Sequence, residues 1–121
     1  MGVAAALSRE YAAEGQAFIP ALAKLLEGAM PEATEPILSG GLLSRKNVVG
    51  LRLTLGDFQY VLDGSSKGIL RPSRTHIVRG IALKSEPIDI ETWLGEVGAG
   101  MEELMRHNER VRGALGGLLG I

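Results

Sequence analysis

The clearest pattern of apolar and polar residues lies in the middle of the chain. Residues 49–55 alternate leucine or valine with glycine or polar residues, a period of two that is typical of a half-buried strand. A second apolar run, 58–62, follows after only Gly56 and Asp57. A two-residue loop that begins with glycine fits a type II′ hairpin turn. This turn predicts three apolar pairs on one face of a β-hairpin: Leu55 with Phe58, Leu53 with Tyr60, and Leu51 with Leu62.

Two stretches with helical spacing flank this hairpin. Residues 4–30 carry one apolar stripe, and Pro20 within them predicts a kink, or a break that places Pro20 in the first turn of a second helix. Residues 89–118 form the other stretch, with Asp89 as the predicted N-cap and Trp93 as a predicted core anchor. Their apolar residues recur at alternating spacings of four and three, which fits a coiled coil or an amphipathic helix on its own sheet.

Further strands are expected on both sides of the hairpin. Residues 75–84 are rich in β-branched side chains and predict a third strand, although their alternation is imperfect. A strand covered on both faces or a bulge at Gly80 would each explain that imperfection. Residues 37–38 and 69–71 are candidates for shorter strands.

These elements predict a single α+β domain over residues 1–121. The expected order is a helix at about 4–30, an antiparallel sheet of three to five strands within 37–84, and a long helix at about 89–118. A two-stranded hairpin is marginal in water, so its apolar face needs cover. We therefore expect the N-terminal and C-terminal helices to lie on the same face of the sheet.

Composition narrows the function classes. The chain has no cysteine, which excludes disulfides, a thiol nucleophile and cysteine-ligated metals. No apolar run approaches the ~18 residues of a membrane span, and the first residues lack the features of a signal peptide. The sequence thus predicts a cytoplasmic protein with no membrane span.

Charge is segregated along the chain although the net charge is only −1. Residues 1–40 carry net −3, residues 41–84 net +6, and residues 85–121 net −4. Either the acidic helices neutralise a basic sheet, or segment 45–84 binds an anionic partner, a nucleic acid or an acidic protein. The candidate anion-binding residues are Arg45, Lys46, Arg71, Arg74 and Arg79. Nucleic acid is disfavoured, because the aromatic residues of the strands fall on the core face.

The sequence contains no recognisable catalytic constellation. His76 and His107 have no partner at metal-ligand spacing, and the glutamates of the C-terminal helix read as a solvated face. We therefore predict that the protein is not an enzyme and that it carries no metal or cofactor.

The remaining hypothesis is an interaction module that forms a homodimer. A 30-residue helix is about 45 Å long, whereas strands of five to nine residues span about 17–30 Å. The distal end of the helix is therefore expected to extend past the sheet and to leave apolar residues uncovered. The predicted partner-binding residues are Met105, Asn108, Val111, Leu115 and Leu118. The alternative is a small-molecule binder, which a large apolar cavity between helix and sheet would indicate.

Overall fold

The computed structural model describes residues 2–40, 47–66, 69–109, 111–113 and 116. The helices are α1 (Val3–Glu14), α2 (Phe18–Ala29) and α3 (Ile90–Met105), with a short 3₁₀ turn at Gly15–Ala17. The strands are β1 (Thr34–Ser39), β2 (Asn47–Leu55), β3 (Phe58–Ser66), β4 (Ile69–Val78) and β5 (Ile81–Pro87). All five pair antiparallel in chain order. The predicted α+β class, with an antiparallel sheet and helices at both ends of the chain, is confirmed.

The N-terminal helical stretch breaks close to Pro20, as predicted. Gly15 adopts φ 58° and its N–H donates to the Tyr11 carbonyl, which ends α1. After the 3₁₀ turn, α2 begins at Phe18 and places Pro20 in its first turn. The N–H that proline lacks has no intrahelical acceptor in a first turn, so Pro20 is accommodated there at little cost.

The central hairpin has the predicted register. Leu55 lies opposite Phe58, Leu53 opposite Tyr60, and Leu51 opposite Leu62. Gly56 has φ 60°, whereas Asp57 has no positive φ, which is the pattern of a type II′ turn. The pairs in the middle of the hairpin are buried, and the pair next to the turn is half-buried.

The prediction of one strand over 75–84 is wrong, because the chain reverses within it. Arg79 and Gly80 have φ of 52° and 80°, and two left-handed residues in succession form a type I′ turn between β4 and β5. The imperfect alternation comes from this turn and from a bulge that is not at Gly80. Ala82 pairs with Ile77 and Lys84 with His76, so Leu83 is the extra residue. Residues 37–38 and 69–71 belong to β1 and β4.

The prediction of one continuous helix over 89–118 is also wrong. Helix α3 ends at Met105, and a turn at 106–107 precedes Asn108. The Asn108 Oδ1 accepts from the backbone N–H of Val111 at 3.3 Å, which caps a new helical turn. Asn108 is therefore the start of a second helical segment and does not continue α3. Most residues beyond 113 lie outside the described part of the chain.

The helices cover the apolar face of the sheet. Helix α2 packs on β1 and β2, and α3 lies against α1 and β4. Trp93 is fully buried and meets Tyr60 edge to face, with the ring centroids 6.4 Å apart. The predicted anchor role of Trp93 is thereby confirmed. No described helix combines the length and the apolar character that a membrane crossing requires.

Helices α1 and α3 approach closely where α3 carries glycine. A Cβ atom at Gly98 would lie 2.5 Å from the backbone N and Cα of Ala4. The neighbouring Glu102 accepts from the Val3 N–H at 2.6 Å through its Oε1. The N-cap residue of α1 is Gly2, which has no side chain to cap the helix, so the Glu102 carboxylate supplies the cap from α3.

We predict that Gly98→Ala lowers the free energy of unfolding by about 2 kcal/mol, because the added methyl forces α1 and α3 apart. The matched control is Gly95→Ala on the same helix, where an added Cβ has no neighbour within 4 Å. This control is expected to raise stability by about 0.5–1 kcal/mol through helix propensity. Urea denaturation measures both variants, and equal effects would contradict the close α1–α3 contact.

Candidate functional site

An arginine on the helix side of the sheet joins three elements through ion pairs. Arg74 on β4 lies opposite Tyr60 of β3 on one side and opposite Glu86 of β5 on the other. Its Nη1 donates to both carboxylate oxygens of Glu96 on α3 at 2.6 Å. Its Nε donates to Glu86 Oε1 at 3.1 Å, and its Nη2 also bonds to that oxygen. The Arg74 side chain is only 24% exposed. Its ion pairs with Glu86 and Glu96 connect β4 to β5 and to α3.

Tyr60 completes this network from the core side. Its hydroxyl donates to Glu96 Oε1 at 2.9 Å. Burial, followed by the bond to Glu96, raises the pKa of Tyr60 to about 12. Hydrogen bonds from Arg74 hold the pKa values of Glu86 and Glu96 below their usual range. Each of these pKa values is moved away from neutrality, and the hydrogen bonds join α3 to β3, β4 and β5.

Phe58 of β3 packs against Arg74 and His76 of the neighbouring strand β4. The Arg74 guanidinium carbon is 5.5 Å from the centroid of its ring, within cation–π range. The His76 ring stacks on it with the centroids 5.0 Å apart. His107 lies elsewhere, with its Nε2 3.6 Å from Glu103 Oε1. Within the described ranges, no three histidine, aspartate or glutamate side chains converge as a metal site would require.

The described members of the predicted anion-binding set do not lie together. Arg74 is engaged by Glu86 and Glu96 on the helix side of the sheet. Arg71 has the opposite strand parity and lies on the other face, and Arg79 is exposed in the β4–β5 turn. Arg45 and Lys46 lie outside the described residues. The three arginines that are described therefore do not share one surface.

An open cleft of about 450 Å³ lies beside the network. Its walls come from the linker after α2, from the end of β2 and the β2–β3 turn, from the second half of α3, and from the segment that Asn108 caps. A Cβ at Gly100 would lie 2.9 Å from Leu55 Cδ1, so α3 and β2 meet closely at its base. The lining residues are Met30, Glu32, Ala33, Thr54, Leu55, Gly56, Tyr60, Glu96, Gly100, Glu103, Leu104, Asn108 and Val111.

The cleft combines aliphatic surface with carboxylates. Three glutamates line it, and its described lining includes no lysine, arginine or histidine. The charge of Glu96 is offset by Arg74, and Glu103 Oε2 accepts from Arg106 at 2.6 Å. Glu32 is exposed and makes no salt bridge with any described residue. The cleft therefore favours a ligand that is both apolar and positively charged.

The predicted partner-binding residues divide around this cleft. Asn108 and Val111 line it, but Val111 is fully buried, so the expectation of an uncovered helix end is wrong for this residue. Met105 is half-buried, and its carbonyl accepts from Nε and Nη2 of Arg112 at 3.1 and 2.9 Å. Leu115 and Leu118 lie outside the described residues.

Sequence reasoning missed a group of exposed apolar side chains around the β4–β5 turn. Ile81 and Leu83 are 64% and 61% exposed, and Val78 is 39% exposed. All three belong to the end of the β4–β5 hairpin, residues 77–84, which we call the hairpin tip. The available signal was the Arg-Gly pair between two β-branched runs, but type I′ turns usually carry Asn-Gly or Asp-Gly.

Comparison of the chain with family models, with curated proteins and with solved structures finds no match.

We predict that acid weakens the Arg74 network. The pKa of Glu96 is lowered from 4.5 in the folded state, mainly by its hydrogen bond with Arg74. Its contribution to stability is thus present above about pH 4.5 and lost as pH falls through the lower folded-state pKa. Glu96→Gln should lose less stability than the unsubstituted chain between neutral pH and about pH 3.

Chemical denaturation at the two pH values provides the measurement. The control is Glu10→Gln, since Glu10 is an exposed residue of α1 without a salt bridge to a described residue. If Glu96→Gln and Glu10→Gln show the same acid sensitivity, the Arg74–Glu96 bond does not contribute to the pH dependence.

Proposed function

We propose that this chain is a protein-interaction module without catalysis of its own, and that its cleft receives a basic, apolar segment of a partner. The observation that carries the proposal is the lining of the cleft, in which aliphatic side chains and glutamates meet without a described basic residue. In a partner segment with alternating aliphatic and basic residues, the aliphatic residues would cover the aliphatic side chains of the cleft. The basic residues would neutralise its glutamates.

The surrounding groups support binding over catalysis. Arg74, Glu86, Glu96 and Tyr60 satisfy one another, and their pKa values are moved away from neutrality. A rigid network of this type preorganises the wall of a binding site. The proposal includes the predicted cytoplasmic location, in line with the cysteine-free composition.

A small-molecule ligand is the second candidate. The volume of about 450 Å³ falls within the usual range for ligand pockets. The same lining would then select an organic amine with an aliphatic body. The two candidates differ in how far contacts extend, because a peptide reaches past the cleft and a small amine does not.

We predict that a short synthetic peptide of alternating leucine and arginine binds at the cleft. Amide NMR signals of Gly56, Gly100 and Leu104 should shift on titration, because these residues line it. Glu32→Lys should weaken this binding about tenfold, since it replaces attraction by repulsion at the rim. Hexylamine in a parallel titration tests the small-molecule candidate.

Two controls make the result specific. A peptide with glutamate in place of arginine should leave these signals unchanged. Glu27→Lys changes charge in the same way at an exposed α2 position that does not line the cleft, and should leave peptide binding unchanged. Equal binding of both peptides, or shifts scattered over the protein, would contradict the proposal.

A further inference from the structure

The hairpin tip has the chemistry that the cleft lacks. Its apolar side chains Val78, Ile81 and Leu83 are three of the five large hydrophobic residues that are exposed in the described part of the chain. Arg79 and Lys84 lie beside them, are exposed, and make no salt bridge with any described residue. Exposed apolar residues grouped at one protrusion are a candidate interaction site. The tip is thus both apolar and basic, whereas the cleft is apolar and acidic.

The hairpin tip projects beyond its neighbours in the sheet. Strand β3 begins at Phe58, which pairs with His76, and the last contact with the β2–β3 turn is the bond from Ile77 N–H to the Asp57 carbonyl at 2.7 Å. The pair Val78–Ile81 and the turn that follows have only each other as strand neighbours. The tip therefore forms a narrow protrusion that fits a concave surface.

The outer edge of β5 is poorly suited to strand addition. The extra residue at Leu83 interrupts the regular ladder, and Lys84 follows it directly. Bulges and edge lysines are two devices that prevent edge-to-edge pairing of sheets. Contacts of the hairpin tip should accordingly be made by its side chains in a pocket, and not by its backbone along another strand.

We propose that the occupant of the cleft is the hairpin tip of a second copy of this chain. Ile81 and Leu83 of one copy would cover aliphatic residues such as Leu55 and Leu104 of the other. Arg79 and Lys84 would face the glutamates, with Glu32 as the carboxylate that no described cation engages. This inference rests on the proposed function and names the partner of the same cleft.

The positions of the two features allow a closed dimer. The β2–β3 turn, whose Gly56 lines the cleft, and the β4–β5 turn lie at the same end of the sheet. The strands β2 and β4 are two positions apart, about 10 Å. A two-fold axis near this end would place each tip in the cleft of the other copy, so that the contact occurs twice and closes.

Sedimentation velocity over a range of concentrations tests the dimer. The unsubstituted chain should show a concentration-dependent dimer that weakens as salt rises. The double variant Arg79→Glu/Lys84→Glu and the cleft variant Glu32→Lys should each dimerise at least about tenfold more weakly, because each change acts at two contacts. Circular dichroism and thermal unfolding confirm folding, since all three positions are exposed.

Mixing the two variants provides the decisive measurement. In a heterodimer, the tip that carries Arg79→Glu/Lys84→Glu would meet the cleft that carries Glu32→Lys. The second contact would join the unsubstituted tip to the unsubstituted cleft. A one-to-one mixture should therefore recover a heterodimer although neither variant dimerises well alone. The apolar contact is tested by Ile81→Ser/Leu83→Ser, with Leu38→Ser as the matched control, because Leu38 is 50% exposed on the other edge strand.

A monomer at all concentrations, full dimerisation of the tip variant, or no recovery in the mixture would overturn the reciprocal dimer. The leucine–arginine peptide separates this outcome from failure of the proposed function. If the unsubstituted chain stays monomeric and its cleft binds the peptide, the partner is a different protein and only the dimer falls. If the cleft binds neither the peptide nor a second copy, both proposals fall.

Discussion

The apolar face of the β2–β3 hairpin is the constraint on which the rest of the structure depends. Leu51, Leu53 and Leu62 are fully buried, which requires α2 and α3 to lie on this face. Covering it is the main source of stability available to a sheet whose other face carries polar residues. Trp93 of α3 extends this core and packs against Tyr60. The position of α3 follows from the core, and the Arg74 network and the cleft exist because α3 lies there.

The Arg74 network shows how a polar group can border such a core. Cross-strand register brings Arg74 between Tyr60 and Glu86, and the next turn of α3 after Trp93 brings Glu96 above them. Carboxylates from β5 and α3 thereby neutralise the partly buried Arg74 guanidinium, and Tyr60 holds one of these carboxylates in place. The same geometry gives the cleft one fixed wall. The Glu102 carboxylate at the start of α1 has a comparable role at the other side of α3.

Local sequence patterns predicted those parts of the fold in which the tertiary contacts follow the same periodicity as the sequence. The Gly56 turn and the alternation around it determine the β2–β3 register, and Pro20 marks the helix break. The two wrong predictions concern segments in which a turn or a helix cap of one or two residues interrupts a longer apolar pattern. The β-branched run over 75–84 concealed a turn at Arg79, a residue that rarely adopts positive φ. The apolar spacing over 89–118 concealed the break at Asn108, whose capping bond overrides the heptad pattern. The cleft was beyond prediction, because its walls come from segments far apart in the sequence.

The separation of charge along the chain has a structural counterpart. Part of the positive charge of the middle segment is consumed within the protein, since Arg52 donates to Glu35 at 2.7 Å and Arg74 bonds to two glutamates. For Arg74 the neutralising charge comes in part from a helix, through Glu96 of α3, and in part from the sheet itself, through Glu86 of β5. Arg79 and Lys84 stay exposed at the hairpin tip, and Glu32 stays exposed at the cleft. A chain with net charge −1 has little overall self-repulsion. Unlike charges that remain apart on such a surface would give the proposed association a direction, which uniform apolar surface alone does not provide.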